Sequence, residues 1–201
     1  MFDALDFLSR RQSSYTFYPV EARIPTGLGH IDETVLRNYA LSSEEQDEVK
    51  DNVLIDDFFP LLRETRADVG VDHLVAFVRQ PLASIGNTRG SSGLIWNYFS
   101  IGYGTEIVIS VSDVREFARK ANRPFEAAVT MMALAAIWTS QFGLKYHEET
   151  RSCPMDFNRD REGLIQSIRK MELCSHCQAR LSPDELDDAN TCLDLLRDYK
   201  R

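Results

Sequence analysis

The sequence predicts an α+β fold, a small sheet packed on helices, ending in a cysteine-rich tail. Three observations lead there. Runs of β-branched and apolar residues at 73–80 and 93–112 read as strands broken by glycine turns. Residues 127–142, AAVTMMALAAIWTSQF, carry no charge and suit a helix buried on most sides. Three of the four cysteines fall between Cys153 and Cys177. Helix, strands, helix, long buried helix and tail, in that order, fit one sheet layered on helices.

Residues 1–41 read as an irregular N-terminal arm. Tyr15, Phe17, Tyr18 and Pro19 can anchor it, and PTGLGH at 25–30 is turn chemistry. Residues 42–146 form the α+β core. It opens with an acidic helix: Ser43 to Asp57 holds seven Asp or Glu against one Lys, and Ser43, Glu44 and Glu45 suit the positive end of a helix dipole. Pro60 should break or kink this helix, which then continues to Gly70. HLVAFVRQ (73–80) is a buried strand. IGNTRGSSG (85–93) lacks both the Lys-Ser/Thr of a P-loop and the GxGxxG spacing, so it reads as a flexible loop. Gly102-Tyr103-Gly104 makes a hairpin turn between two strands. Asp113 to Ala121 is a short helix capped by Ser112 or Asp113. Pro124 opens the buried helix and Gly143 closes it. Residues 147–201 hold the cysteine segment, with a helix from Arg161 to Lys170. A last helix starts at the capping box Ser182-Pro183-Asp184-Glu185 and carries Leu186, Ala189, Leu193 and Leu196 on one face.

Composition narrows the function. The chain is 43% hydrophobic and 27% charged with a net charge of −8, enough apolar residues for one sizeable core. Net negative charge argues against a nucleic-acid partner. The N-terminus, MFDALDFLSRRQSS, has acids among its first apolar residues and does not read as a secretory signal. The uncharged stretch is shorter than the ~20 residues a membrane span needs. A cytoplasmic, non-membrane protein is the expectation.

Cys174-Ser-His-Cys177 is the strongest chemical signal. Two thiolates this close in a tight turn can face one cation, and Cys153 supplies a third sulfur. Zinc in structural sites takes four Cys or His ligands in a tetrahedron, so the segment predicts structural Zn²⁺. The fourth ligand has three candidates: His147, His176 and Glu148. His176 would have to fold back past its own backbone, and Glu148 would add charge to an already anionic site. Two other readings stand beside zinc. A redox CxxC needs a helix N-terminus after a strand in a βαβ unit, whereas a helix precedes this one. The cysteines can also simply be packed, as Cys192 on the apolar flank of the last helix is expected to be. His30 and His73 stand apart from any cluster.

The string YHEETRSCPMDF…CSHCQARL resembles the end of the archaemetzincins, zinc metallopeptidases with a catalytic HExxHxxGxxH and a second, four-cysteine zinc. Cys153-Pro-Met155 matches the family's Cys-x-Met, and Cys174 and Cys177 match its closing CxxC. His147 falls on the third histidine, at the metal end of the long helix, and is the fourth ligand that the resemblance implies beside Cys153, Cys174 and Cys177; Glu148 falls where the first cysteine belongs. The first two histidines fall on Ile137 and Gln141 and the catalytic Glu on Trp138, none of which can bind zinc or activate water. The tail is also similar to a group of bacterial proteins with YHEETRGC-like tails. The resemblance implies a zincin-like fold without catalytic residues, kept together by structural zinc and acting on a protein partner. Two alternatives remain. One is a zinc hydrolase built on His147 and Cys153 with Glu148 or Glu149 as base. The other is a zinc-knuckle nucleic-acid binder using Arg159, Arg161, Arg169, Lys170 and Arg180.

Overall fold

The computed structural model describes residues 2–22, 24–39, 41–88, 91–158 and 160–200. It is a mixed α/β structure in two compact units. One comprises residues 1–20 and 113–201, the other residues 21–112. The expected core segment, 42–146, contributes to both.

The second unit holds both sheets. Helix α2 (Glu33–Arg37) is capped by Asp32, whose carboxylate accepts from the backbone of Thr34 and Val35. Helix α3 (Ser43–Lys50) is the expected acidic helix, with Ser42 and Glu45 forming a reciprocal capping box. It does not run on to Pro60. It ends at Asp51, and a two-residue strand β1 (Val53–Leu54) and a 3₁₀ turn (Ile55–Asp57) intervene before α4 (Phe58–Val69). Pro60 lies in the first turn of α4, where an N–H would have no acceptor within the helix and its loss costs little. Gly70 closes α4 in the left-handed region, φ 72°.

Strands β2 (Leu74–Val78), β3 (Leu82–Thr88), β4 (Ser91–Tyr98), β5 (Ser100–Tyr103) and β6 (Glu106–Ser110) follow. They form two three-stranded sheets, β1-β3-β4 and β2-β6-β5. β6 is buried along its whole length, paired parallel to β2 and antiparallel to β5. β2 is only half-buried because it is an edge strand. The stretch 85–93 is not a loop: Gly86 pairs with Gly93 and Ile85 with Leu94 in the β3–β4 hairpin. Its Gly and Ser content masked a ladder held by cross-strand backbone bonds; residues 89 and 90 lie outside the described residues. Gly29 is required where it stands, since a Cβ there would come within 2.6 Å of the Leu54 carbonyl oxygen.

Helix α4 packs on β2 and β6, and Arg66 on α4 reaches Glu106 at 2.6 Å. Burial alone would raise the Glu106 carboxyl. The Arg66 and Thr105 hydrogen bonds and the Arg66 charge outweigh it and leave the group below its ordinary 4.5. A depressed carboxyl stabilises above its unfolded value and loses that contribution as pH falls through the folded one. Glu106→Gln should therefore flatten part of the acid limb of a Tm-against-pH curve below about pH 4.5; an unaltered acid limb would exclude this pair as a contributor.

The first unit is helical. The arm expected to be irregular begins with α1 (Phe2–Ser9), where Ala4 and Leu8, one turn apart, are fully buried. Helix α5 (Val114–Ala121) buries Val114, Phe117, Ala118 and Ala121, an i, i+3, i+4, i+7 stripe. Asp113 precedes it at φ 60° without capping it, and its carboxylate pairs with Arg161 at 3.1 Å instead. Helix α6 (Phe125–Gln141) is buried from Glu126 to Trp138, as its uncharged sequence predicts. Helices α7 (Gly163–Lys170), α8 (Ser175–Gln178) and α9 (Pro183–Asp198, capped by Ser182 and Glu185) complete the unit. Arg123 fastens their ends, donating to the carbonyls of Arg169 at 3.0 Å and Arg197 at 2.8 Å. A cation at two helix C-termini also favours both dipoles. Cys192 is fully buried on α9. Among the described residues no helix is long and apolar enough to cross a membrane.

Trp138 is fully buried, and its indole N–H donates to the Tyr15 hydroxyl at 3.0 Å. Tyr15 in turn donates to Gln141 Oε1 at 2.8 Å. Burial raises the phenol well above its ordinary value, so it stays protonated and serves both bonds. One tyrosine thus anchors the arm and satisfies the core's largest polar-tipped side chain. Tyr15→Phe leaves that N–H without its acceptor and should cost about 1–3 kcal/mol in urea unfolding. A midpoint equal to wild type would show that the anchor contributes nothing.

Candidate metal centre

The cluster is assembled by three short local structures in the helical unit. After α6, Gly143 (φ 66°) turns the chain, and Leu144 is buried. His147 then pairs with the 155–157 segment: its N–H donates to Met155 O at 3.0 Å, and its carbonyl accepts from Phe157 N at 3.0 Å. Residues 153–156 form a tight turn closed by Asp156 N–H to Cys153 O at 2.9 Å, with Cys153 and Met155 fully buried. Ser152 (φ 58°) and Met171 (φ 48°) hold left-handed conformations that cost a non-glycine residue about 1–2 kcal/mol each. Met171 ends α7 this way and, fully buried itself, directs the chain to Cys174. Cys174 is the residue before the first turn of α8, and Cys177 lies inside it.

The result brings together His147, Cys153, Cys174 and Cys177, with one donor atom from each within 4.8 Å of all the others. Cys153 and Cys177 Sγ are 3.9 Å apart, and Cys174 Sγ is 3.5 Å from His147 Nε2. A tetrahedral ion with bonds of about 2.3 Å to sulfur and about 2.0–2.1 Å to nitrogen spaces its ligands about 3.8 Å (S to S) and about 3.6 Å (S to N) apart. The two observed spacings match, and a disulfide at about 2.05 Å is far shorter; all four cysteines are free. Cys153 and Cys177 are buried, Cys174 is half-buried, and the His147 side chain is 12% exposed. Three thiols and an imidazole make a soft, closed donor set that can hold a metal ion.

Electrostatics support the same use. The Cys153 thiol is lowered well below its ordinary range by the hydrogen bond with Cys177 and, against the effect of burial, by the N–H groups of Cys174 and Met155 at 3.3 and 3.4 Å. Cys177 is raised by its hydrogen bond with Cys153 and by burial. A cation bound by both sulfurs would displace the thiol proton between them. Arg151, held by Glu149, also lies against the Cys174 sulfur and places a positive charge there.

His176 is exposed on α8, its ring 6.3 Å from that of His147 and outside the four-donor group. Glu148 is exposed and also outside it. Glu149 is engaged by Arg151, which holds its carboxyl below the ordinary range. Cys192 is remote in role, buried in α9 with its thiol pushed up to about 12 by burial. Ile137 and Trp138 are core residues of α6. Asp156 has no counterpart in the sequence reading. It is buried beside His147, and only the HEETRSCPMD string as a folded turn reveals it.

No protein-family model matches the chain, and neither a curated protein nor a solved structure matches it.

Cys174→Ser or Cys177→Ser should release bound metal and lower Tm, with the tail loosened and the helical frame retained. His147→Ala should weaken metal binding more than His176→Ala in a competitive chelator titration. The opposite order would place the fourth ligand at His176.

Proposed function

We propose that this protein is a non-catalytic, zinc-stabilised domain of zincin-like type, acting as an interaction or regulatory subunit for a protein partner. The observation that carries the reading is the convergence of three cysteines and one histidine within 4.8 Å of one another, with two of their spacings matching a tetrahedral ion. Zinc is the ion that best suits that donor set, and four protein ligands leave no position for a reacting water. The archaemetzincin resemblance agrees with this in one respect and departs in another. His147, which the motif aligns with a catalytic-zinc ligand, belongs instead to the cysteine cluster. The helix α6 positions where histidines and a glutamate would stand hold Ile137, Trp138 and Gln141. The first two are buried in the core, and Gln141 accepts from Tyr15.

The alternatives draw less support. A hydrolase needs a base poised near neutral pH, whereas the Glu149 carboxyl is lowered by Arg151. For nucleic-acid binding, the net charge of −8 is unfavourable. Of the basic residues that reading uses, Arg161 pairs with Asp113 and Arg169 donates to the Lys120 carbonyl, Lys170 and Arg180 are exposed, and Arg159 lies outside the described residues. A protein partner is favoured by exclusion and by Tyr18, which stays 68% exposed while Tyr15 anchors the arm.

Elemental analysis of the purified protein should find one zinc per chain. Peptide libraries and unfolded proteins should show no turnover, with or without added zinc. A positioned base alone is worth roughly 10²–10⁴-fold, and the carboxylates beside the cluster, Asp156 and Glu149, are engaged by backbone N–H groups and by Arg151. Two zinc ions per chain, or chelator-sensitive turnover lost in Glu148→Gln, would establish the hydrolase instead.

A further inference from the structure

We infer that Asp156 is the positioning residue of this centre: its carboxylate fixes His147 in the tautomer that ligates through Nε2, and the same carboxylate folds the turn that presents Cys153. The inference rests on the zinc reading above and adds to it which nitrogen binds and what sets it.

The Asp156 side chain has no solvent exposure. A carboxylate so placed needs donors on its oxygens. Arg151 N–H lies 3.1 and 3.0 Å from its two oxygens, Cys153 N–H 3.0 Å from Oδ2, and Ser167 Oγ 3.3 Å from Oδ2. His147 Nδ1 lies 3.3 Å from Oδ1. The same Nδ1 is 2.9 Å from the carbonyl oxygen of Glu149. The Glu149 carbonyl takes the hydrogen bond, and the Asp156 carboxylate stands beside it as a negative charge 3.3 Å from the same nitrogen; neither donates, so Nδ1 carries the proton. The lone pair is then on Nε2, the atom 3.5 Å from Cys174 Sγ. A carboxylate behind a ligating histidine orients the ring and raises its basicity. The two backbone N–H groups do a second thing. By binding Arg151 and Cys153 on either side of Ser152, Asp156 holds the left-handed Ser152 in place. One carboxylate thereby sets two of the four donors.

The test uses the full chain loaded with cadmium-113 and labelled with nitrogen-15. Scalar coupling from cadmium should appear on His147 Nε2, with a slowly exchanging proton on Nδ1. Asp156→Asn keeps the shape but turns an acceptor into a donor facing N–H groups. It should weaken cadmium and zinc binding about 10–100-fold and shift or erase the Nδ1 proton signal. Ser167→Ala removes a contact to the same carboxylate on the side away from His147, and should leave signal and affinity within about threefold of wild type. Should Asp156→Asn fail to fold, the wild-type coupling pattern still decides the tautomer. Coupling on Nδ1, or an Asp156→Asn protein with wild-type affinity and the same Nδ1 proton, overturns the inference alone. A wild-type chain that takes up neither zinc nor cadmium overturns the zinc reading and this inference with it.

Discussion

Three sulfurs and an imidazole crowded within 4.8 Å impose the constraint on which the tail depends. Three thiolates repel, and burying them without a counter-charge is costly. In the protein alone Cys153 and Cys177 are joined by a hydrogen bond across 3.9 Å, with two backbone N–H groups on the Cys153 sulfur. A divalent cation meets the conflict better, because it serves all three sulfurs at once. The left-handed Ser152 and Met171 fit this account. Their backbone cost is tolerable where the chain must turn sharply to deliver a donor, and both stand immediately before or shortly before a cysteine.

The cluster is built on a frame that has a core of its own. Helix α6 is enclosed, α1 and α9 pack on it, α5 packs on α6 and α7, and Arg123 fastens the ends of α7 and α9. In isolated zinc fingers the metal supplies nearly all of the folding free energy. Here the ligand-bearing turns have hydrophobic neighbours that stand independently, including Met155, Leu173 and Ile168. The centre therefore fixes the register of the tail against the frame and does not create the frame.

Much of this was legible in the sequence because the signals were local. The capping box at Ser182, the uncharged run of α6 and the CxxC each state their structure within a few residues. The grouping of Cys153 with Cys174 and Cys177 followed from ligand chemistry, and His147 was preferred because the archaemetzincin resemblance places it at the metal end of the long helix, with geometry against His176 and charge against Glu148. What the sequence hid was non-local or compositional. The β3–β4 hairpin escaped because Gly and Ser carry little β-propensity and the ladder is held by backbone bonds. The early end of α3 escaped because Pro60 is the more conspicuous breaker. Helix α1 was read as arm because eight residues give too few turns for a clear period. Asp156 escaped for a deeper reason. Its role depends on Arg151, Cys153 and His147 meeting in space, and an aspartate in an acidic chain attracts no notice.

X-ray absorption at the metal edge of the protein as purified tests the central claim most directly. The account predicts zinc with three sulfur neighbours at about 2.3 Å and one nitrogen at about 2.0–2.1 Å. A shell of oxygen and nitrogen alone, five or six neighbours, or purified protein without bound metal would contradict it.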